Sequence, residues 1–240
     1  KGMHGRSRML IDGNILGNLI DECEIPIAVW YCDNPLIVLG TKPIPAPKMT
    51  SLFIWERNYI PVLQQQGAQD IHYLPLATDA SVFRPSNKAI ARKCSFVGSS
   101  MESNIEKFFS RLTPRGTEVA HELAKIQKAN RGLDITTTIN KLYPEIEAGE
   151  FWDLMAAGCW QATANYRTDL LRSLKQEDLS IIGDDAWPTI LPKATYEGFV
   201  VYGPTIGTVY ETSAINLNAT SYQMATAINQ RVFDVPAAGG

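Results

Sequence analysis

The chain has 240 residues and a formal net charge of −3, with 45% hydrophobic and 20% charged residues. This composition lies in the range of globular proteins and excludes a mainly disordered, collagen-like or coiled-coil chain. The balanced charge argues against nucleic-acid binding, and the longest apolar run, residues 25–32, is too short for a transmembrane segment, which needs about 20 residues.

The cysteines indicate a reducing compartment. Four cysteines lie far apart without a C-x-x-C pair, and the three histidines do not cluster with them. This pattern argues against a structural zinc site and predicts buried free thiols, so we expect a cytoplasmic protein. The chain begins with Lys1, without a signal peptide, and stops directly after a helix-like stretch. We therefore expect a piece of a longer protein, truncated at both ends.

The first third of the chain carries the pattern of a parallel α/β unit. An amphipathic segment, residues 8–19, comes first, and a proline-rich extended loop is expected at 42–47. Segments rich in apolar and β-forming residues predict strands, the first of them fully buried, at 25–31, 51–55 and 70–77. A helix that stops at Gly67 separates the last two strands. Strands alternating with helices predict a mainly parallel sheet.

A polar stretch, residues 83–88, interrupts this pattern and predicts a domain boundary after residue 86. Residues 102–175 have apolar residues at helical spacing and no strand signal, so we expect a helical insertion that projects from the second domain. Strands of a second sheet are predicted at 94–97, 179–183, 199–203 and 214–218. The sequence thus predicts two α/β halves, residues 1–86 and 87–240.

Chemistry is expected at the ends of the predicted strands. The chain has no P-loop, no G-x-G-x-x-G, no G-x-S-x-G and no H-E-x-x-H motif. Ligands of parallel α/β sheets bind beyond the carboxyl ends of the strands, where small and polar residues let them approach. The residues that meet this description are Asp33, Asn34, Asp79, Gly98, Ser99, Ser100, Gly183, Asp184, Asp185, Gly203 and Asn218.

Several of these groups also have a purely structural explanation. The segment 98–100 either holds a phosphate with backbone N–H groups or forms a tight turn with a serine helix cap. The pair Asp184 and Asp185 either binds a divalent cation or belongs to a solvated loop. Asp33 either faces an inter-domain cleft or takes part in a turn.

Arg231 and Asp234 form the most informative pair, because a spacing of three residues puts them on one face of a predicted helix. They either make a surface ion pair worth a few tenths of a kcal/mol, or act on a ligand. In the second case Arg231 binds a phosphate and Asp234 binds the hydroxyl pair of a sugar.

Several segments resemble the spore-maturation (CgeB-like) glycosyltransferases of the GT-B superfamily, and they occur in the same order. They are WYCDNP at 30–35, YLPLATD and FRP within 73–85, CSFVGS at 94–99, INLNAT at 215–220 and QRVFDVPAAGG at 230–240. The resemblance covers most of the chain outside residues 102–165, and its last motif is the most specific.

The resemblance implies a GT-B fold, in which two Rossmann-like domains face each other across a cleft. The first domain would bind the acceptor and the second, incomplete here, the donor. The implied reaction is a metal-independent transfer of a sugar, of the hexosyltransferase type, from a nucleotide-diphosphate sugar to a hydroxyl of a glycan, protein or small molecule. Asp234 stands where related enzymes carry a glutamate that holds the donor ribose. Thr226 stands where they carry a further acidic residue.

Roles can then be assigned by position. The expected donor-binding residues are Gly98, Ser99, Gly183, Gly203, Asn218, Arg231 and Asp234. Arg231 would also stabilise the charge that grows on the leaving diphosphate. Asp33 would be the general base of an inverting reaction or would position the acceptor in a retaining one. The alternative is a non-catalytic nucleotide-sugar or glycan-binding module that acts with a partner enzyme. Another nucleotide-dependent α/β enzyme, such as an epimerase, is a third candidate.

Overall fold

The structure is a computed structural model that describes residues 26–40, 44 and 48–240. The described residues form an α/β protein with two parallel sheets. The expected amphipathic segment at 8–19 lies outside the described residues, as does the proline-rich loop apart from the buried Ile44.

The first sheet has three parallel strands in the order β1-β2-β3. Its strands are β1 (Ile27–Tyr31), β2 (Thr50–Ile54) and β3 (Asp70–Tyr73). The connecting helices are α1 (Pro35–Leu39) and α2 (Ile60–Gln65), the latter preceded by a 3-10 turn (Arg57–Tyr59). The predicted βαβ pattern of this part of the chain is therefore confirmed, although β3 is shorter than expected.

The expectation that the first strand is fully buried is wrong. Val29 and Tyr31 are buried, but Ala28 is exposed and Trp30 is 40% exposed. Among the described residues, β1 pairs only with β2, and the core covers only one of its faces. Alternate residues of a strand point to opposite faces, so half of this apolar run faces outward.

The second sheet has four parallel strands in the order β6-β5-β4-β7. Its strands are β4 (Cys94–Val97), β5 (Leu179–Ile182), β6 (Thr195–Tyr196) and β7 (Asn216–Leu217). The short helices of this part are α7 (Trp187–Ile190), α8 (Pro204–Glu211) and α9 (Arg231–Ala237). The bounds predicted for β4 are confirmed.

The strand predicted at 199–203 is wrong. These residues form an exposed loop between β6 and α8, in which Phe199 is 75% and Val201 is 73% exposed. Gly198 and Gly203, at the two ends of the loop, have φ values of 82° and 145°, outside the range of a strand. The sheet takes its edge strand from Thr195–Tyr196 instead.

The region 102–175 is mainly helical, as predicted. Its helices are α3 (Glu102–Phe109), α4 (Pro114–Ala129), α5 (Ile135–Leu142) and α6 (Phe151–Arg172), followed by a 3-10 turn (Gln176–Asp178). The described residues of this region contain no strand.

These helices do not project from the second half as expected. Leu123 of α4 and Leu154 of α6 belong to the same hydrophobic core as Leu52 and Leu63 of the first sheet unit. Residues 154–159 of α6 are all buried, so this part of the helix is covered on every side. The helices therefore complete the first core rather than forming a separate lobe.

A second core lies under α8 and α9 and includes Phe83, Val97 and Tyr210. Because Leu76 still belongs to the first core, the chain passes from one core to the other between Leu76 and Phe83. The division into domains after residue 86 stays a prediction.

The described cysteines are free thiols. Cys159 is buried, as expected, but Cys32 is exposed because it follows β1 at the surface. Within the part of the chain that the structure describes, no helix combines the length and the apolar character needed to cross a membrane.

Candidate functional site

The carboxyl ends of β4, β5 and β7 and the start of α9 meet at one edge of the second sheet. The guanidinium of Arg231 donates to the carbonyl of Val97 and, over 3.2 Å, to Asn218 Oδ1. Gly183 approaches Gly98 so closely that a Cβ at position 183 would lie 2.3 Å from the Gly98 carbonyl oxygen. The structure thus brings Gly98, Gly183, Asn218 and Arg231 together at this edge.

Asp184 holds the loop that follows β4. Its carboxylate accepts hydrogen bonds of 2.7 Å from Ser99 Oγ, from the Ser100 amide and from Ser100 Oγ. Burial raises the pKa of Asp184, but the hydrogen bonds from Ser99 and Ser100 outweigh it and lower the pKa below its ordinary value. The serine hydroxyls are therefore engaged with Asp184, which fixes the loop. Asp185 is exposed.

Arg167 of α6 reaches the same edge, although no motif or spacing in the sequence points to it. It is 7% exposed and donates from Nη1 to the Ser99 carbonyl over 2.6 Å and from Nε to the Ala219 carbonyl over 3.2 Å. Burial, and then the charge of Arg231, lower the pKa of Arg167 to about 10, while Asp184 acts in the opposite direction. Arg167 is therefore still cationic at neutral pH.

The two guanidinium groups bring positive charge to this edge, and the charge of Asp184 acts on Arg167 without forming an ion pair with it. Each has its Cζ 5.9 Å from the centroid of the Phe96 ring. Among the described residues neither forms an ion pair with a carboxylate, and Arg231 Nε is buried without a hydrogen-bond partner. Covered cations without a carboxylate partner favour a bound anion.

Asp234 of α9 is held by Tyr202. Only 1% of Asp234 is exposed, its Oδ2 accepts a 2.7 Å hydrogen bond from the Tyr202 hydroxyl, and its Oδ1 is buried without a partner in the described structure. Burial, and then the hydrogen bond and charge of Asp234, raise the pKa of Tyr202. A surface ion pair between Arg231 and Asp234 is not formed.

Asp33 and Gly203 are placed differently from this group. Asp33 is exposed after β1, and its side chain makes no hydrogen bond or ion pair within the described residues. The neighbouring Asn34 is the cap of α1, since its Oδ1 accepts from the Leu36 amide over 2.9 Å. Gly203 precedes α8 and lies next to Tyr202 in the exposed loop. No contact in the described structure connects Asp33 with Arg231.

A separate small pocket lies between the first sheet, the helices and residues 222–225. Its volume is about 40 Å³, which is room for a few water molecules but not for a nucleotide. Its lining includes Glu56, Gln127 and Gln223 but neither of the two arginines. In the described part of the chain, no three His, Cys, Asp or Glu side chains are grouped so that they could hold a metal ion.

Comparison with known proteins does not assign the chain to a family. No protein-family model, no curated protein and no solved structure matches it significantly. The function of the site has to be argued from its own side chains.

Proposed function

We propose that this chain is a glycosyltransferase that moves a sugar from a nucleotide-diphosphate sugar to a hydroxyl acceptor. The observation that carries the proposal is the pair of guanidinium groups, Arg167 buried and Arg231 partly buried, at the carboxyl edge of a parallel sheet. A diphosphate would pair with both guanidinium groups, neither of which forms an ion pair among the described residues, and ligands of such sheets bind at this edge.

The resemblance of residues 230–240 to CgeB-like enzymes supports a donor site made by α9. The diphosphate would bind Arg231 and Arg167, and the ribose hydroxyls would bind Asp234 in place of the Tyr202 hydroxyl. Two parallel sheets with separate cores are compatible with two Rossmann-like domains, so we propose the GT-B arrangement for them. The free thiols at Cys94 and Cys159 support a cytoplasmic location.

In the proposed reaction, the bond between the anomeric carbon and the diphosphate oxygen breaks while an acceptor hydroxyl attacks that carbon. Both electrons of the broken bond go to the diphosphate, so Arg231 and Arg167 stabilise the charge that develops there. The resemblance implies that no metal ion is needed for this step. Asp33 would accept the proton of the hydroxyl, or position the acceptor if configuration is retained.

Calorimetric titration with uridine and guanosine diphosphates tests the proposal. Arg231→Ala should weaken the binding of the preferred diphosphate by about 10- to 150-fold, the equivalent of a charge-assisted hydrogen bond. Arg231→Lys should recover only part of the loss, because a point charge does not reproduce the guanidinium fork. Arg115→Ala is the matched control, since Arg115 is half-exposed on α4 and pairs with Glu118 and Glu145. Unchanged affinity in Arg231→Ala, or no binding to the wild type, would refute the proposed site.

A non-catalytic donor-binding module is the second candidate, and the position of Asp33 favours it. The expected base is not connected to the phosphate-binding group by any contact in the described structure. Slow hydrolysis of the donor sugar without acceptor distinguishes the two functions, because a transferase often shows it and a binding module does not. Loss of that hydrolysis in Asp33→Asn, with unchanged diphosphate affinity, would assign Asp33 to the chemistry.

A further inference from the structure

The carboxylate of Glu56 is fully buried and binds a backbone segment from the other half of the chain. Glu56 follows β2 and is 1% exposed. Its Oε2 accepts hydrogen bonds from the amides of Ala225, Thr226 and Ala227 over 2.9, 2.8 and 2.9 Å. Its Oε1 accepts from Thr226 Oγ1 and, over 3.2 Å, from the Asn58 amide. We call Glu56 with residues 225–227 the Glu56 clasp.

Two more contacts dock the same segment on the first half. The Tyr59 hydroxyl donates to the carbonyl of Gln223, and the Asn34 amide donates to Gln223 Oε1 over 3.2 Å. Partners separated by more than 160 residues in sequence are thus joined at several points. The first half of the chain therefore fixes the backbone of residues 223–227.

This fixed segment leads directly to the phosphate-binding arginine. Only residues 228–230 separate the clasp from Arg231. Asn229 exchanges two hydrogen bonds with Asn218, of 2.7 and 3.2 Å, and Asn218 Oδ1 also accepts from Arg231 Nη1. The segment is held by Glu56 at one end and by Asn218 at the other. A displacement of residues 225–227 must therefore move Asn229 and with it the support of Arg231.

Backbone amides compensate the charge of the clasp. Glu56 forms no ion pair with another described residue. Burial raises the pKa of Glu56, but the hydroxyl and amide of Thr226 and the amides of Ala227 and Asn58 outweigh it and lower the pKa. Glu56 is thus ionised at neutral pH, and neutralising it would weaken its charge-assisted hydrogen bonds from the backbone amides of residues 225–227.

We propose that Glu56 is a positioning residue for the phosphate site, through which the first half of the chain determines where Arg231 stands. The proposal rests on the proposed function, because it assigns the nucleotide diphosphate to Arg231. It means that the donor site is complete only when the two halves are docked. An acceptor bound to the first half would then act on donor affinity through the same contact.

A second carboxylate of similar construction provides the control. Glu211 of α8 is 7% exposed and accepts from the Ser86 amide over 2.6 Å, from Ser86 Oγ and from the Lys88 amide over 3.2 Å. It also joins distant parts of the chain, but residues 86–88 do not lead to Arg231. A merely structural role for Glu56 predicts that Glu56→Gln and Glu211→Gln behave alike.

The experiment compares these two variants by calorimetric titration with the diphosphate and by amide hydrogen exchange without it. Both variants should be less stable than the wild type. Only Glu56→Gln should weaken diphosphate binding, by about tenfold or more, the loss expected for a hydrogen bond to a charged group. Only Glu56→Gln should accelerate exchange at residues 228–235 under conditions where the protein stays folded.

The two measurements test the positioning role of Glu56 separately from the proposed glycosyltransferase function. If no diphosphate binds the wild type, the proposed function fails, and the exchange at 228–235 still decides whether Glu56 positions Arg231. Equal exchange in Glu56→Gln and Glu211→Gln would overturn the positioning role. Should Glu56→Gln not fold, Thr226→Ala removes one donor to the clasp and keeps the carboxylate. It should then show the same local acceleration to a smaller degree, and unchanged exchange in it would overturn the proposal.

Discussion

The hydroxyl of Tyr202 donates a 2.7 Å hydrogen bond to Asp234 Oδ2, in a helix turn that also carries Arg231. The other oxygen of Asp234 is buried without a partner among the described residues, although Tyr202 itself is 53% exposed. An exposed loop residue thus places a hydroxyl group on an enclosed carboxylate. A ribose hydroxyl would make the same hydrogen bond, so Tyr202 occupies the position that we propose for the donor sugar.

Tyr202→Phe should therefore destabilise the protein although only one oxygen atom is removed. Asp234 would lose its described hydrogen-bond partner, and we expect the free energy of unfolding to fall by about 1.5 to 3 kcal/mol, the range for a hydrogen bond to a charged group. Urea unfolding measures this change. Tyr73→Phe is the control, since Tyr73 is 39% exposed and packs under the Arg57 guanidinium without a hydroxyl bond to another described residue.

Tyr202→Phe should also bind nucleoside diphosphate more tightly than the wild type. In Tyr202→Phe, no phenol hydroxyl competes with the ribose hydroxyls for Asp234. Nucleotide binding to the variant therefore does not have to break the Tyr202–Asp234 hydrogen bond, as it does in the wild type. Calorimetry should show the gain with the ribonucleotide and no gain with the matching dideoxynucleotide. An equal change for both nucleotides would separate Tyr202 from the sugar site.

Gly183 should tolerate no side chain, because β4 and β5 end in contact at this position. A Cβ there would lie 2.3 Å from the Gly98 carbonyl oxygen and 2.7 Å from Trp187 Nε1, which itself donates to Gly98 over 2.8 Å. We expect Gly183→Ala to cost about 1 to 3 kcal/mol of unfolding free energy, as overpacking does. Thermal or urea unfolding measures the loss.

Gly207→Ala is the matched control for that substitution. Gly207 lies inside α8, and a Cβ there would be 3.4 Å from the nearest atom of Phe83, an ordinary contact. Since alanine is the better helix former, we expect this variant to be neutral or stabilised by up to about 1 kcal/mol. Similar losses in both variants would contradict the close approach of the two strand ends.

Asp184 should make the stability of the protein depend on acid pH. Its pKa in the folded protein lies below the ordinary value of 3.8, so its contribution is complete above that value and is lost as the pH falls through the folded-state pKa. At pH 7, Asp184→Asn should cost about 1 to 2 kcal/mol, since the carboxylate is half-buried and loses charge-assisted hydrogen bonds. The difference in unfolding free energy between Asp184→Asn and the wild type should be smaller at pH 3 than at pH 7.

Urea unfolding at pH 7, 5 and 3 measures this dependence. Asp185→Asn serves as the control, because Asp185 is the exposed neighbour in the same loop and has no bond to the serines. It should change stability by less than about 0.5 kcal/mol at each pH. A stability difference for Asp184→Asn that stays constant from pH 7 to 3 would show that the carboxylate charge does not hold the loop.

Much of the second sheet could be predicted because local signals and the fold agree there. The apolar segment 94–97 and the glycine after it predict β4 with its observed bounds. The strand predicted at 199–203 is wrong because its apolar and aromatic residues are β-formers, whereas the backbone conformation of Gly198 and Gly203 is not visible in the sequence. The exposure of such residues depends on the elements that pack around them in the folded chain. The periodicity of the sequence does not predict that packing.

Arg167 and Glu56 could not be predicted because their roles arise from contacts between distant parts of the chain. Arg167 lies 68 residues from the Ser99 carbonyl that it binds, and Glu56 lies 169 to 171 residues from its backbone donors. Neither sits at a strand end of the second sheet. Arg167 reaches the Ser99 carbonyl because α6 packs between the first core and the second sheet. That packing is a property of the tertiary structure.

We expect Arg167 to bind the second phosphate group of the proposed diphosphate. If Arg167 and Arg231 bind the same diphosphate, each should matter more for a nucleoside diphosphate than for the monophosphate. We expect Arg167→Met to weaken diphosphate binding by about 10- to 100-fold, from the loss of charge-assisted hydrogen bonds, and to reduce its salt dependence.

The stability of this variant should change by less than its affinity does. Removing Arg167 loses hydrogen bonds to the Ser99 and Ala219 carbonyls but also ends its repulsion with Arg231, which contributes to the lowered pKa of Arg167. The two effects on the unfolding free energy oppose each other. Arg172→Met controls for the loss of an arginine from the same helix. Arg172 lies at the carboxyl end of α6 and, among the described residues, hydrogen-bonds only to the Ile190 carbonyl.

A double-mutant cycle with Arg231→Ala completes the test. Two side chains that bind one ligand should be energetically coupled. The loss of diphosphate binding free energy in the double variant should therefore differ from the sum of the losses in the two single variants by more than about 0.5 kcal/mol. The diphosphate should then bind no more tightly than the monophosphate. Additive losses, or an equal effect of Arg167→Met on both nucleotides, would place Arg167 outside the phosphate site and leave it as a support of the loop at Ser99.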